Sequence, residues 1–287
     1  MTTHTQALTR LEAIPQAGSL GARVKGIDLA APLSDYTLAE LRQLFLAHLV
    51  LVFPGQGHLT PAQHVAFAER WGELQRTDAK GVEGQSELVK LATGGPKKPA
   101  DPDMPETQKL ARADIWHSDQ SFEATPPVGS FLLARMLPPR GGDTMFANQY
   151  LAYETLSAPI RAMLDGLRAV HSGDGFFRAI GRDPAGAPVN IHPVVRTHPE
   201  TGRRALFVNR IWTRRIDGLS DAESSMLLDF LYDHAAQPEF TFRHKWTEGD
   251  LLMWDNRCTL HYAINDYGNE TRVMHRATVL GDKPYFL

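Results

Sequence analysis

The late part of this chain runs strand after strand, with no helix between them of the kind a parallel sheet needs. Phe240 to Trp246 alternates, Leu251 to Trp254 is a short apolar run, and Arg272 to Leu280 alternates again. Earlier, Val50-Leu51-Val52-Phe53 reads as a buried strand stopped by Pro54-Gly55, and Gly129 to Leu137 as another. Helix signals gather elsewhere. Thr37 to Leu49 reads as an amphipathic helix, with Thr37 and Glu40 spaced as a capping box. Thr60-Pro61-Ala62-Gln63 opens a second helix that Gly72 closes, and a further one is expected near Ser157 to Gly166. Ser220-Asp221-Ala222-Glu223 is another capping box, starting a helix that runs to about His234. The absence of a βαβ rhythm argues against a Rossmann-type sheet. The order predicts a mainly β fold with flanking helices, a double-stranded β-helix (jelly roll, cupin-like). One domain over residues 1–287 is expected, with the first dozen residues a loose arm. From Gln75 to Ala113 the pattern breaks down into Gly/Pro-rich loop chemistry. That irregular segment, about 76–113, reads either as an active-site lid or as a surface insertion.

The segment ends on Trp116-His117-Ser118-Asp119-Gln120. A His and a carboxylate two residues apart lie on one side of an extended strand, where both can reach one metal ion. His261, far along the chain, completes a 2-His-1-carboxylate set, which occupies one face of an octahedral Fe(II) and leaves the others open. The strand from Arg272 carries a second signal. Arg272, Met274, Arg276 and Thr278 share one face, and Val273, His275, Ala277 and Val279 the other. Two arginines on one face need water or anions. Either the face is solvated or it forms two anion sites; the modestly apolar opposite face and the nearby His261 favour the second. Arginine suits it, because its planar fork binds carboxylate or sulfonate bidentately.

These motifs, with others in the same order, resemble the taurine dioxygenase-like (TauD/TfdA) family of Fe(II)/2-oxoglutarate-dependent dioxygenases. The resemblance runs over nearly the whole chain. It is carried by Gly21-Ala22, Gly26-Ile27-Asp28-Leu29, Trp116 to Asp119 and Gly141-Gly142-Asp143-Thr144. His192 to Pro199 and the tail from Trp254 through Pro284 extend it. The resemblance implies that His117, Asp119 and His261 hold Fe(II). It also implies that Arg272 and Thr144 hold the distal carboxylate of 2-oxoglutarate, and that Arg276 grips an anionic substrate. With O₂ as second co-substrate, such an enzyme releases succinate and CO₂ and hydroxylates a substrate C–H. Where the hydroxylated carbon bears a heteroatom, the product falls apart. Asp119 argues against related halogenases, which carry a small residue there.

Substrate residues are less defined. By the resemblance Phe177 offers an aromatic ring to the pocket, a plain core role being the alternative. Thr77 and Ala113 stand where taurine-specific members recognise the amine, and Gln120 follows the metal Asp. The anion grip is kept and the amine side is not. The expected substrate is therefore an alkyl or aryl sulfonate, a sulfate ester or an aryloxyalkanoate, with taurine as the alternative. Of the twelve histidines, His192, His198 and His275 read as structural. Trp254 reads as packing beside the metal site or in the general core. A net charge of −3 gives no pull toward nucleic acid or anionic membrane. No apolar run approaches a membrane span of roughly 20 residues, and Met1 to Gln6 lacks the basic and apolar regions expected of a signal peptide. The lone Cys258 permits no internal disulfide and reads as a buried thiol. The expectation is a cytoplasmic homo-oligomer, dimer or tetramer, acting on a small organic anion. Two other classes remain open: a metal-dependent hydrolase on the same barrel, and an organic-acid binding protein.

Overall fold

Three strands, Val50–Phe53, Gly129–Met136 and Leu251–Asp255, are buried over most of their length. Strands buried on both faces belong at the centre of a sheet. In the computed structural model, which describes residues 11–77, 81–93 and 113–287, they are neighbours. The seven-stranded sheet runs Glu12–Pro15, Ala22–Lys25, Val50–Phe53, Leu251–Asp255, Gly129–Met136, Arg272–Val279, Leu88–Thr93. Its ladders are antiparallel except where Ala22–Lys25 meets Val50–Phe53.

Alternation assigns each face a partner. Leu51, Phe53, Phe131, Leu133, Leu251, Met253 and Ala277 point outward, onto Leu41 and Phe45 of the helix Asp35–His48 and Val65 and Phe67 of the helix Pro61–Glu69. Val50, Val52, Leu132, Ala134, Leu252, Trp254 and Met274 point inward and meet Phe146, Phe242 and Trp246. These belong to, or directly follow, strands of a second sheet, ordered Thr241–His244, Thr144–Asn148, Thr259–Ala263. Two facing sheets with helices packed outside make a double-stranded β-helix. A third sheet (Thr213–Ile216, Arg168–Ser172, Val189–Pro193) and the helix Asp221–Ala235 flank it.

Local chemistry explains where most elements begin. Thr60 with Gln63 and Ser220 with Glu223 form the expected capping boxes. The first long helix differs: it starts at Asp35, and its cap is Ser34, whose hydroxyl accepts from the Thr37 N–H at 3.1 Å. Thr37 therefore lies inside the first turn. The irregular segment also holds more order than its composition suggests, since Leu88–Thr93 pairs with Arg272–Val279 as the sheet's edge. Residues 78–80 and 94–112 of that segment, and most of the expected N-terminal arm, lie outside the described residues.

The turn between Leu251–Asp255 and Thr259–Ala263 sets the spacing of Trp254 and His261. Asp255 and Arg257, both buried, hold it. Arg257 forks onto Asp255 at 2.9 and 2.7 Å. His198 Nδ1 accepts from the Thr201 N–H at 3.2 Å, so its Nε2 carries the proton that Asp255 accepts at 3.0 Å. With its carboxylate taken by two cations or donors, and the Cys258 thiol pushed well up by burial, the His198–Asp255–Cys258 cluster is structural rather than a second metal site. Burial would raise the Asp255 carboxyl; Arg257 first, then His198, outweigh it and hold it below the usual range. Removing one partner of a buried pair costs about 3–5 kcal/mol. Asp255→Asn is therefore expected to lower Tm clearly at pH 7. A depressed carboxyl stabilises the fold above its unfolded pKa of about 4 and loses that contribution as pH falls below it. The gap between parent and variant should close in acid. A pH-independent gap in the melts would contradict this account.

Candidate active site

His117 forms a single bridge with His261, each backbone N–H donating to the other's carbonyl at 3.0 and 2.7 Å. Directly opposed residues present their side chains to one face, and the two imidazole centroids lie 4.1 Å apart. Past this bridge the chain turns, with Gln120 at φ 46°. Asp119, two residues past His117 and at the start of that turn, brings its carboxylate to the imidazoles, the convergence that the His-x-Asp spacing implies. Its Oδ2 accepts from Ser130 Oγ at 2.7 Å, and its backbone N–H donates to Asn256 Oδ1 at 3.2 Å. Asn256 is itself fixed by Trp254 Nε1 at 3.0 Å. Oδ1 is left facing His261 Nε2 at 3.8 Å and Arg276 at 3.3 Å. The donor atoms of His117, Asp119 and His261 lie within 4.8 Å of one another, close enough for one ion to touch all three.

The protonation states suit a cation. His117 Nδ1 donates to the Ile115 carbonyl at 2.7 Å, freeing Nε2 as a lone-pair donor. Burial lowers the His117 imidazole below its ordinary value. Burial, with His117 adding to it, pushes His261 down to about 3. Both are neutral near pH 7. Burial alone would raise the Asp119 carboxyl, but Arg276, then His261, His117 and the Ser130 hydroxyl, hold it well below the usual carboxylate range. Two neutral imidazoles and one carboxylate make a donor set that fits a divalent transition metal.

Beside the triad opens a cavity of about 510 Å³ whose wall includes Ala113, His117, His261, Thr144, Arg272 and Arg276. The arginine-bearing face of the last strand is thus turned inward rather than bathed in solvent. Arg272 is buried and its guanidinium lies 5.7 Å from the Trp246 ring centroid. Trp246 Nε1 donates to Thr144 Oγ1 at 3.0 Å, tying the three together. Gly142 makes room: with φ 75°, a Cβ there would come within 3.4 Å of Arg272 Nε. That Nε is buried with no hydrogen-bond partner among the described residues. A guanidinium with an unpartnered N–H, lining the cavity beside a hydroxyl, fits a carboxylate.

Ala113 is in this wall; Thr77, Gln120 and Phe177 are not among the residues that line it. Gln120 donates to Gln75 Oε1 at 3.2 Å, and the Thr77 N–H pairs with the Ser86 carbonyl at 2.8 Å. Phe177 sits on the helix Asp174–Ala179 with Arg182 5.9 Å from its ring centroid. His275 points to the opposite face, toward Arg135 Nε at 3.3 Å. Ser130, Asn256 and Trp246 went unnoticed in the sequence. Ser130 carried a signal, as a polar residue inside a buried run that must find a partner. Residues that orient a metal ligand typically matter 10–100-fold. Ser130→Ala is expected to weaken Mn(II) binding by about that factor; an unaltered Kd would mean that Asp119 is oriented without it.

The family described as "Taurine catabolism dioxygenase TauD, TfdA family" matches residues 10–278. The chain is 34% identical to an alpha-ketoglutarate-dependent sulfate ester dioxygenase of Pseudomonas putida, over 96% of this chain and 91% of that protein. It is 37% identical to an alpha-ketoglutarate-dependent 2,4-dichlorophenoxyacetate dioxygenase of Cupriavidus pinatubonensis, over 91% and 94%. A solved taurine dioxygenase from Burkholderia xenovorans superposes with a TM-score of 0.82 at 36% identity, covering 96% of this chain and 93% of that one. Fold, site and relatives define a 2-oxoglutarate-dependent dioxygenase, an oxidoreductase that consumes O₂ and acts on a small molecule. The chain belongs to the TauD/TfdA family. Among the described residues no helix is long and apolar enough to cross a membrane.

Proposed function

We propose that this enzyme is iron-dependent and hydroxylates a C–H of a small organic anion: an alkyl or aryl sulfonate, a sulfate ester or an aryloxyalkanoate. Succinate and CO₂ leave, and the substrate cleaves at the hydroxylated carbon. The observation that carries this reading is the pair Arg272 and Arg276, turned inward on one strand beside the His117–Asp119–His261 set. Those three residues would hold Fe(II), which when bound supplies the redox chemistry between O₂, 2-oxoglutarate and substrate. The remaining work belongs to the chain. Arg272 and Thr144 receive the distal carboxylate of 2-oxoglutarate, and Arg276 receives the substrate anion. Ser130 and Asn256 keep Asp119 aimed. Leu91, Leu132 and Trp254 give the cavity apolar walls.

The two curated relatives act on a sulfate ester and on 2,4-dichlorophenoxyacetate, both organic anions. Ala113 brings no hydrogen-bonding side chain to the wall for an amine. A second reading, taurine itself, is favoured by Asp114, an acidic residue that also lines the cavity. Leu91, Thr93 and Ala113 place parts of the segment 76–113 at the cavity, which supports its role as a lid within one domain. A cytoplasmic setting belongs to this proposal. A homo-oligomer is part of the same proposal.

The test is an anaerobic ultraviolet-visible titration with Fe(II) and 2-oxoglutarate. An alkyl sulfate, an alkanesulfonate, an aryloxyacetate and taurine are then added in turn, followed by O₂. A charge-transfer band that shifts with one compound, and succinate formed in step with its loss, is the expected result. Preference for taurine selects the second reading. Folded, iron-loaded protein without a band would overturn both, and turnover without O₂ would indicate a hydrolase.

A further inference from the structure

The two oxygens of Asp119 have different company. Ser130 holds Oδ2 at 2.7 Å. Oδ1, the oxygen on the His261 side, is contacted by Arg276 Nη1 at 3.3 Å. Arg276 also lines the cavity, and its Nε is buried with no hydrogen-bond partner among the described residues. One guanidinium therefore touches the Asp119 carboxylate with one nitrogen, leaves another without a protein partner among the described residues, and belongs to a side chain that lines the cavity.

We propose that Arg276 couples the two sites: an anion taken from the cavity by Arg276 tightens divalent-metal binding at His117, Asp119 and His261, and the metal tightens the anion in return. This rests on the proposed dioxygenase reading for the metal set, but not on which anion is the substrate. Two neutral imidazoles and one carboxylate carry a single negative charge. In the free protein the Arg276 charge lies against it and cancels most of its pull on a cation. An anion bound to the guanidinium from the cavity side neutralises that charge and draws it off Oδ1, returning the carboxylate to the metal. Burial strengthens both effects, because nearby charges are poorly screened there. Linkage makes the coupling reciprocal, and couplings of this kind are on the order of tenfold. Arg272 provides the control. It lies on the same face, but the charges that act on it are those of Tyr267 and Asp143 rather than Asp119.

Mn(II) is titrated into the full-length protein and free Mn(II) is read by electron paramagnetic resonance. Titrations are run with and without methanesulfonate, a non-chelating monoanion, against chloride at equal ionic strength. In the parent protein methanesulfonate is expected to lower the Mn(II) Kd about tenfold. Arg276→Gln should bind Mn(II) more tightly than the parent without the anion and should not respond to it. Arg272→Gln should keep the response, and Arg276→Lys should retain part of it. Circular dichroism confirms folding; should Arg276→Gln not fold, the Lys variant decides by a response smaller than the parent's. A parent Kd that methanesulfonate moves no more than chloride overturns the coupling while leaving the dioxygenase reading intact. So does a folded Arg276→Gln that still responds. A parent protein that binds no Mn(II) overturns both.

Discussion

Asp119→Ala is expected to abolish succinate formation and to weaken divalent-metal binding by two to three orders of magnitude. A complete structural zinc site contributes about 10–16 kcal/mol. Such a site has four ligands, so one ligand accounts for roughly 2.5–4 kcal/mol, or a factor of about 10²–10³ in affinity. The substitution removes more than a ligand. The only negative charge in the donor set disappears, and Arg276, formerly at 3.3 Å from Oδ1, is left beside two imidazoles. A cation must then approach an uncompensated guanidinium. Asp119→Asn preserves shape but not charge and should fall nearly as far. Isothermal titration with Mn(II) and a succinate assay measure the two effects. Turnover near the parent rate would show that the carboxylate is no ligand. Anion binding kept in full, by a parent protein that makes no succinate, would instead describe an organic-acid binding protein.

The site was legible where chemistry depends on residue type and illegible where it depends on conformation. Strand parity placed Arg272 and Arg276 on one face because alternation survives in a strand whose two faces meet different partners, helices outside and a cavity inside. His117 and Asp119 do converge as their spacing implied. What could not be read is the single bridge that sets His117 against His261 and the left-handed turn that follows at Gln120, since nothing in a non-glycine residue announces a positive φ. Ser34 was passed over as a cap because Thr37, three residues on, competes for the role; the two hydroxyls in fact share a hydrogen bond at 2.9 Å. The edge strand Leu88–Thr93 shows no clean alternation, being half-exposed and paired on one side only. Its existence is decided by its partner strand rather than by its own residues. Asn256 contacts Asp119 across 137 positions of sequence, a distance over which local pattern carries no information.

Arg272→Met is expected to separate binding from stability. In the free protein the Arg272 side chain is buried, 8% exposed, and burial pulls its guanidinium below the ordinary value against the opposing pull of Tyr267 and Asp143. Its Nε has no hydrogen-bond partner among the described residues. Burying a charge that is imperfectly paired costs several kcal/mol, and an apolar side chain of similar length recovers much of that. The variant should therefore melt no lower than the parent when 2-oxoglutarate is absent. Binding should behave in the opposite way. Losing one partner of a buried, hydrogen-bonded charge pair costs about 2–5 kcal/mol, so the KM for 2-oxoglutarate should rise by about thirtyfold to several thousandfold. The parent should gain about 2.7 kcal/mol of stability at a co-substrate concentration of 100 Kd, while the variant gains almost none at the same concentration. Thermal melts with Mn(II), with and without 2-oxoglutarate, read both halves at once. A variant that melts lower and keeps its KM would make Arg272 a structural residue and move the distal carboxylate elsewhere in the cavity. A residue retained at a cost to the empty fold, and repaid only when a carboxylate arrives, is what a co-substrate site requires.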